Sequence, residues 1–364
     1  MLPLLLLTTC LEPALAGQEE SIDRLIERLG LEVASSPVRD RPDWVEPRRV
    51  VVWAFEPERV DWLRAAFPGL EILAAADAAA AARLAPGADV IIGFCDPGTL
   101  AAADRVRWVQ LFSAGVERCV SLPELRQRNP LLTNMQRVAA PVMAEHVMAM
   151  VLAFARGLNR YIPQQATGEW NRDLVPEERM LTLEGKTLLV VGLGGIGTEV
   201  ARRAHALGMR VLATRASSRE GPQFVSYVGL PDELLALTKQ ADFVVNTAPL
   251  TPATTDLFDG RFFAVMKPRA YFINVGRGRS VVTADLVAAL RSGSIAGAGL
   301  DVTQPEPLPA DHPLWRLPNV IITPHVSTSS DLGYDDRWLV IRENLRRYLA
   351  GEPMLNVVDL ERGY

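Results

Sequence analysis

The sequence predicts a doubly wound α/β protein with parallel sheets, and three observations carry that prediction. Short apolar runs alternate with segments of helical spacing, the runs are apolar throughout, and one ends in a glycine-rich turn that opens a helix. A strand apolar on both faces must be covered on both, which is what helices flanking a parallel sheet do. At 364 residues the chain is too long for one core, so two such units are expected.

Taken in order, "EESIDRLIERLG" has the spacing of a short amphipathic helix, and "ASSPVRDRPDWVEPRR" reads as a linker rich in proline and charge. The α/β pattern begins near residue 50. "RVVVWAF", "ADVIIGF" and "VRWVQLFSAG" read as strands, "PERVDWLRAAFP" as a helix, and "AAADAAAAARLA" as a helix by propensity. Between residues 141 and 170 the apolar positions of "PVMAEHVMAMVLAFARGLNRYIPQQATGEW" are too dense for a surface helix, so one long helix buried between two bodies is predicted. "TLLVV", "RVLAT", "ADFVVNTAP", "AYFINVG", "IAGAGLDV" and "NVIITP" follow as buried apolar strands. "YDDRWLVIRENLRRYLAG" is amphipathic, and "NVVDLERGY" is expected to return to the first unit.

Composition narrows the function classes. With 49% apolar residues, 22% charged residues and a net charge of -5, there is no basic stripe for nucleic acid. No apolar run is long enough to span a bilayer. Cys10, Cys95 and Cys119 form no CxxC pair, so neither a metal site nor a disulfide framework is expected. The N-terminal "MLPLLLLTTCLEPALAGQEE" supports two readings. An apolar stretch followed by Ala14-Leu15-Ala16 is the grammar of a cleaved secretory signal over residues 1–16, although no Lys or Arg precedes it. The other reading is an overlong start or a greasy tail on a cytoplasmic protein. The cleavage grammar tips the expectation towards export.

The first chemistry-bearing motif is "VVGLGGIG", a G-x-G-x-x-G formed by Gly192, Gly194 and Gly197 between the strand "TLLVV" and the helix "IGTEVARRAHAL". Such glycines permit a tight turn and close backbone approach to a pyrophosphate, which the N–H groups of the helix start then face. In this strand–turn–helix context the motif predicts a dinucleotide site. Where an NAD-preferring site places an acid after the second strand, this chain has Arg215, followed by Ser217, Ser218 and Arg219. Arginine and hydroxyls suit a 2′-phosphate, so NADP is expected in preference to NAD. The alternative is that these are ordinary loop residues and cofactor choice is loose.

Ligands of an open parallel sheet bind beyond its carboxyl edge. There, "AYFINV" is followed by Arg277, "IAGAGLDV" ends at Asp301 with Glu306 beyond it, and "NVIIT" is followed by His325. Any one of these residues alone would be read as structural, and His146, His205 and His312 are so read. Together they match a 2-oxo acid reduction. Arg277 suits bidentate carboxylate binding and ketone polarisation. His325 suits proton donation, with Glu306 fixing its tautomer, and Asp301 suits the nicotinamide carboxamide.

At this point the sequence resembles the D-isomer-specific 2-hydroxyacid dehydrogenases, from about residue 50 to 364. The resemblance rests on "VVGLGGIGTEVARRAHALGMRV", "NTAPLTPATTDLF", "FINVGRGRSVV", "AGLDVTQPEPLPADHPLWRLPNVIITPH" and "ENLRRYLAGEPMLNVV", met in order. It implies a Rossmann cofactor domain, residues 142–326, inserted into a flavodoxin-like substrate domain of residues 50–141 plus 327–364, after a helix and linker at 17–49. It implies a catalytic trio of Arg277, Glu306 and His325. Gly195, Ile196, Ala248, Pro249, Val275 and Asp301 would meet the cofactor, backbone N–H groups of Ala114 and Gly115 the substrate carboxylate, and Phe94 the side-chain pocket. The family usually dimerises through its cofactor domains, so a homodimer is expected.

The chain departs from the family at Arg215, in "VSTSS" after His325, and in its leader. Two other readings share the scaffold. Formate dehydrogenases resemble "QPEPLPADHPLW" but carry Gln where Glu306 stands, and formate oxidation needs no proton donor. Dinucleotide-sensing corepressors keep the trio and would bind without turnover.

Overall fold

The computed structural model describes residues 21–331 and 333–363. The signal reading of residues 1–16 lies outside them. Five strands, β1 (Arg49–Trp53), β2 (Glu71–Ala75), β3 (Val90–Ile92), β4 (Trp108–Gln110) and β5 (Leu131–Thr133), form an all-parallel sheet in the order β2-β1-β3-β4-β5. That is the flavodoxin-like order. Seven more, β6 (Thr187–Val191), β7 (Arg210–Thr214), β8 (Tyr227–Gly229), β9 (Phe243–Asn246), β10 (Tyr271–Asn274), β11 (Gly297–Leu300) and β12 (Val320–Ile322), form a second parallel sheet. Its order is β12-β11-β10-β9-β6-β7-β8, so strand order reverses between β6 and β9. The α/β prediction with two doubly wound parallel sheets therefore holds.

The strands form where they do because their residues are apolar on both faces. All five residues of β6 and all four of β9 are buried. Met143, Val147, Met150, Val151 and Phe154 of the helix Ala140–Ala155 cover one face of the seven-stranded sheet, packing with Val190, Phe243 and Ile273. Phe258, Phe262 and Phe263 cover the other beside Phe272. The C-terminal helix Gly333–Ala350 joins the first sheet's core through Trp338, Ile341, Leu345 and Tyr348, alongside Val50 and Trp108. The chain end returns beside β5, where Val358 N–H donates to Leu132 O at 2.9 Å.

Three expectations need correction. The long helix of residues 141–170 is two helices, Ala140–Ala155 and Leu158–Gln165, bent by 79°. Gly157, in the left-handed region at φ 66°, makes the break. Among the described residues no single helix is long and apolar enough to cross a membrane. The apolar run Val320–Ile322 is only half-buried, because β12 is the edge strand. Finally, Cys95 and Cys119 form a disulfide, with Cα atoms 5.5 Å apart. Their spacing of 24 residues carries no motif; they meet because Cys95 follows β3 and Cys119 follows its sheet neighbour β4.

Closing a loop of that length limits the unfolded chain, an effect of about 3 kcal/mol. Reduction, or Cys119→Ser, is expected to lower the thermal midpoint by several degrees in calorimetry. Ready alkylation of Cys95 and Cys119 in unreduced native protein would sink this assignment.

Candidate active site

The seven-stranded sheet sets the site through its register. Thr214, Val191, Asn246, Asn274, Leu300 and Ile322 form one row of paired residues across β7, β6, β9, β10, β11 and β12. The chain just past that row supplies, in spatial order, Arg215, Gly192, Ala248, Arg277, Asp301 and His325. Six segments far apart in sequence thus emerge side by side, at about 4.8 Å per strand.

At the β6 end the turn is built for close approach. Gly192 has φ 97°, and a Cβ there would lie 2.7 Å from the Ala248 Cα, so only glycine fits. The helix Gly195–Ala206 starts with Gly194 as its N-cap, and its unpaired N–H groups point to the carboxyl edge. The donor set suits a pyrophosphate. Two buried amides, missed in the sequence reading, organise the neighbouring loops. Asn246 Nδ2 donates to Asn274 Oδ1 at 2.9 Å, Ala248 N–H to Asn246 Oδ1 at 3.0 Å, and Asn274 Nδ2 to Arg277 O at 3.0 Å. Gly276 N–H also donates to Asn274 Oδ1 at 3.1 Å. Each ends an apolar strand, "FVVN" and "YFIN", and a buried amide in that place was the available signal. Val275 is buried beneath this loop, and Pro249 caps the Ala248 segment by accepting from Thr254 Oγ1 at 2.7 Å.

After β7, Arg215 is half-exposed and donates to Glu220 O at 3.3 Å, with Ser217 exposed beside it. Arg219 turns away from them. It pairs with Glu233 at 2.6 Å and reaches the Tyr227 hydroxyl at 2.8 Å, so it is not part of the cluster the sequence suggested.

His325 and Glu306 meet as expected: Nδ1 lies 2.6 Å from Glu306 Oε1. Facing a carboxylate, Nδ1 carries the proton and Nε2 is left for a ligand. The backbone of His325 is left-handed at φ 55°, which costs a non-glycine residue about 1–2 kcal/mol. Asp301 holds it there. The Asp301 carbonyl accepts from His325 N–H at 2.8 Å. Its carboxylate accepts from Thr323 Oγ1 at 2.7 Å, Val326 N–H at 2.9 Å and Ser327 N–H at 3.1 Å. Burial pushes the Asp301 carboxyl up, but hydrogen bonds from Ser327, Thr323 and Val326 outweigh it and leave its pKa below the usual aspartate value. The Asp301 carboxylate, expected at the carboxamide, is thus already engaged within the turn. His146, read from the sequence as structural, extends the network, with Nε2 3.0 Å from Thr323 Oγ1.

Arg277 is half-buried and paired with Glu117, Nε to Oε1 at 2.5 Å. Glu117 opens the short helix Glu117–Val120 after β4 of the other sheet, so the two units meet at this guanidinium. No sequence signal could have found a partner 160 residues away. In the loop between β4 and that helix, Ala114 and Gly115 direct N–H groups that, among the described residues, have no protein acceptor. Phe94 is buried in the first sheet's packing, with its ring 6.4 Å from Trp53.

Similarity to known proteins agrees with this arrangement. Residues 148–327 match the family model for the D-isomer specific 2-hydroxyacid dehydrogenase, NAD binding domain. The chain is 36% identical to human glyoxylate reductase/hydroxypyruvate reductase over 264 residues, 71% of this chain and 79% of that protein. The chain belongs to the D-isomer-specific 2-hydroxyacid dehydrogenase family. This dehydrogenase is also 39% identical, over 236 residues, to glyoxylate/hydroxypyruvate reductase B of Citrobacter koseri, covering 65% and 72% of the two chains. The NADPH-dependent glyoxylate/hydroxypyruvate reductase of Sinorhizobium meliloti, solved with NADP and sulfate, superposes with a TM-score of 0.75 at 32% identity, covering 87% and 100%. The dehydrogenase is therefore an NAD(P)-dependent oxidoreductase.

The depressed Asp301 pKa has a stability consequence. The stabilisation is fully present above the unfolded value of about 3.9 and fades as pH falls through it towards the folded value. Asp301→Asn is expected to cost about 1–3 kcal/mol at pH 7 by stranding donors. It should also flatten the loss of stability as pH falls below about 4 in urea titrations. Equal stability of the two proteins at pH 7 would count against the Asp301 assignment.

Proposed function

We propose that this dehydrogenase reduces a small 2-oxo acid of the glyoxylate or hydroxypyruvate kind to its D-2-hydroxy acid, with NADPH preferred. The observation that carries this reading is the 2.6 Å contact of His325 with Glu306 at the β12 edge, two strands from Arg277. The seven-stranded unit, residues 142–326, is the proposed dinucleotide domain. Gly192, Gly194, Gly195, Ile196 and Gly197 would take the pyrophosphate, and Arg215 with Ser217 the 2′-phosphate. When bound, the reduced nicotinamide supplies the hydride. Arg277 holds the substrate carboxylate, aided by the Ala114 and Gly115 N–H groups, and draws charge onto the ketone oxygen. His325 gives the proton from Nε2 as that oxygen becomes an alkoxide. Glu306, in contact with Nδ1, orients the imidazole for that transfer. The substrate class is supported by the names of the human and Citrobacter koseri relatives, and the cofactor by Arg215 together with the NADP in the Sinorhizobium meliloti structure.

Oxidation of NADPH and NADH measured with glyoxylate, hydroxypyruvate and phenylpyruvate tests the proposal. NADPH with the two smaller acids is expected to turn over fastest. His325→Gln should lower kcat by about 10²–10⁴-fold, and Arg215→Asp should reverse the cofactor preference. Dinucleotide binding without consumption of any 2-oxo acid would favour the sensing role.

The same reading includes a homodimer formed through the cofactor domains. Ile162 and Trp170, 64% and 92% exposed beyond the bend at Gly157, form the proposed contact with a second copy. Sedimentation equilibrium should give twice the chain mass of 39.9 kDa, and Ile162→Asp combined with Trp170→Asp should give the single mass. A monomeric parent protein refutes the dimer.

A further inference from the structure

Arg277 has five N–H bonds, and the structure accounts for three of them. Nε donates to Glu117 Oε1 at 2.5 Å and Nη2 to Glu117 Oε2 at 3.4 Å, a side-on grip by one carboxylate. Nη1 donates to the Gly276 carbonyl at 2.7 Å. Among the described residues, one N–H remains without a partner on Nη1 and one on Nη2, the pair of donors that a substrate carboxylate can meet end-on.

We infer that Glu117 is a positioning residue for the dehydrogenase reaction: by gripping the side of the Arg277 guanidinium it turns the two remaining N–H bonds towards the substrate. The inference rests on the proposed role of Arg277. Without Glu117 the side edge of the guanidinium would compete for the substrate carboxylate, and one carboxylate would have two orientations available. Glu117 is charged for this task. Burial pushes its carboxyl up, but the hydrogen bond and charge of Arg277 outweigh burial and leave its pKa below the ordinary glutamate value.

The segment that carries Glu117 is itself held in place. Asn134 Nδ2 donates to Ala114 O at 2.7 Å and Met135 N–H to Ser113 O at 3.0 Å. Two residues beyond Glu117, Cys119 is tied to Cys95. Gly115 completes the fit, since a Cβ there would collide with Arg277 Nη2. The substrate unit therefore offers backbone N–H groups to the ligand and, three residues on from Ala114, aims the arginine of the opposite unit.

Steady-state kinetics of Glu117→Ala and Glu117→Gln, with oxamate titrations of the NADP⁺-loaded protein, test this. Glu117→Ala is expected to lose about 100-fold in kcat/KM for the 2-oxo acid, chiefly in kcat, as misplacement of a reacting group does. KM for NADPH and the thermal midpoint should stay unchanged. Glu117→Gln keeps an acceptor for Nε and should recover to within about tenfold of the parent, the remainder reflecting the lost charge assistance. Oxamate should bind the alanine variant at least about tenfold more weakly. Turnover within threefold of the parent overturns the inference, as does a rise in both KM values with a fallen midpoint, or absence of oxamate binding to the parent. If the parent binds oxamate through Glu117 yet reduces no 2-oxo acid, the proposed function fails and the positioning role stands.

Discussion

The unbroken parallel register from β7 to β12 is the constraint on which the site depends. Because Thr214, Val191, Asn246, Asn274, Leu300 and Ile322 lie in one row, the loops after those strands begin at one height and can share a ligand. A slip of one residue in any strand would turn its side chains to the opposite face and lift its loop out of line. The amides of Asn246 and Asn274 lock two of these loops together. They do so where backbone donors would otherwise be buried without partners.

His325 shows how the edge of such a sheet can carry a precise group. β12 is the outermost strand and only half-buried, so packing alone would leave the segment after it loosely held. The Asp301 carboxylate replaces packing by gathering donors from Thr323, Val326 and Ser327. That one buried charge opposes the cost of a left-handed histidine, and the imidazole is left facing Glu306.

What could be read from the sequence follows from the range of the interactions involved. The glycine turn, the strand ends and the order Arg277, Glu306, His325 are local in the chain, and their chemistry shows in residue type and spacing. The break at Gly157 was harder to read, because apolar density continues past a glycine that bends the helix. The Cys95–Cys119 bond, the Glu117 pairing and the diversion of Arg219 to Glu233 arise from neighbours in space. Sequence periodicity holds no trace of contacts that depend on which strand lies beside which.

The meeting of Glu117 and Arg277 across the two sheets bears on how such a protein can change over time. Each unit carries half of one electrostatic device, with Gly115 shaped to the arginine of the other. Shuffling one unit between relatives would therefore bring in a half-device fitted to a different counterpart. An exchange of one unit alone would keep the device only if the incoming unit brought both a carboxylate at that place and the clearance that Gly115 provides.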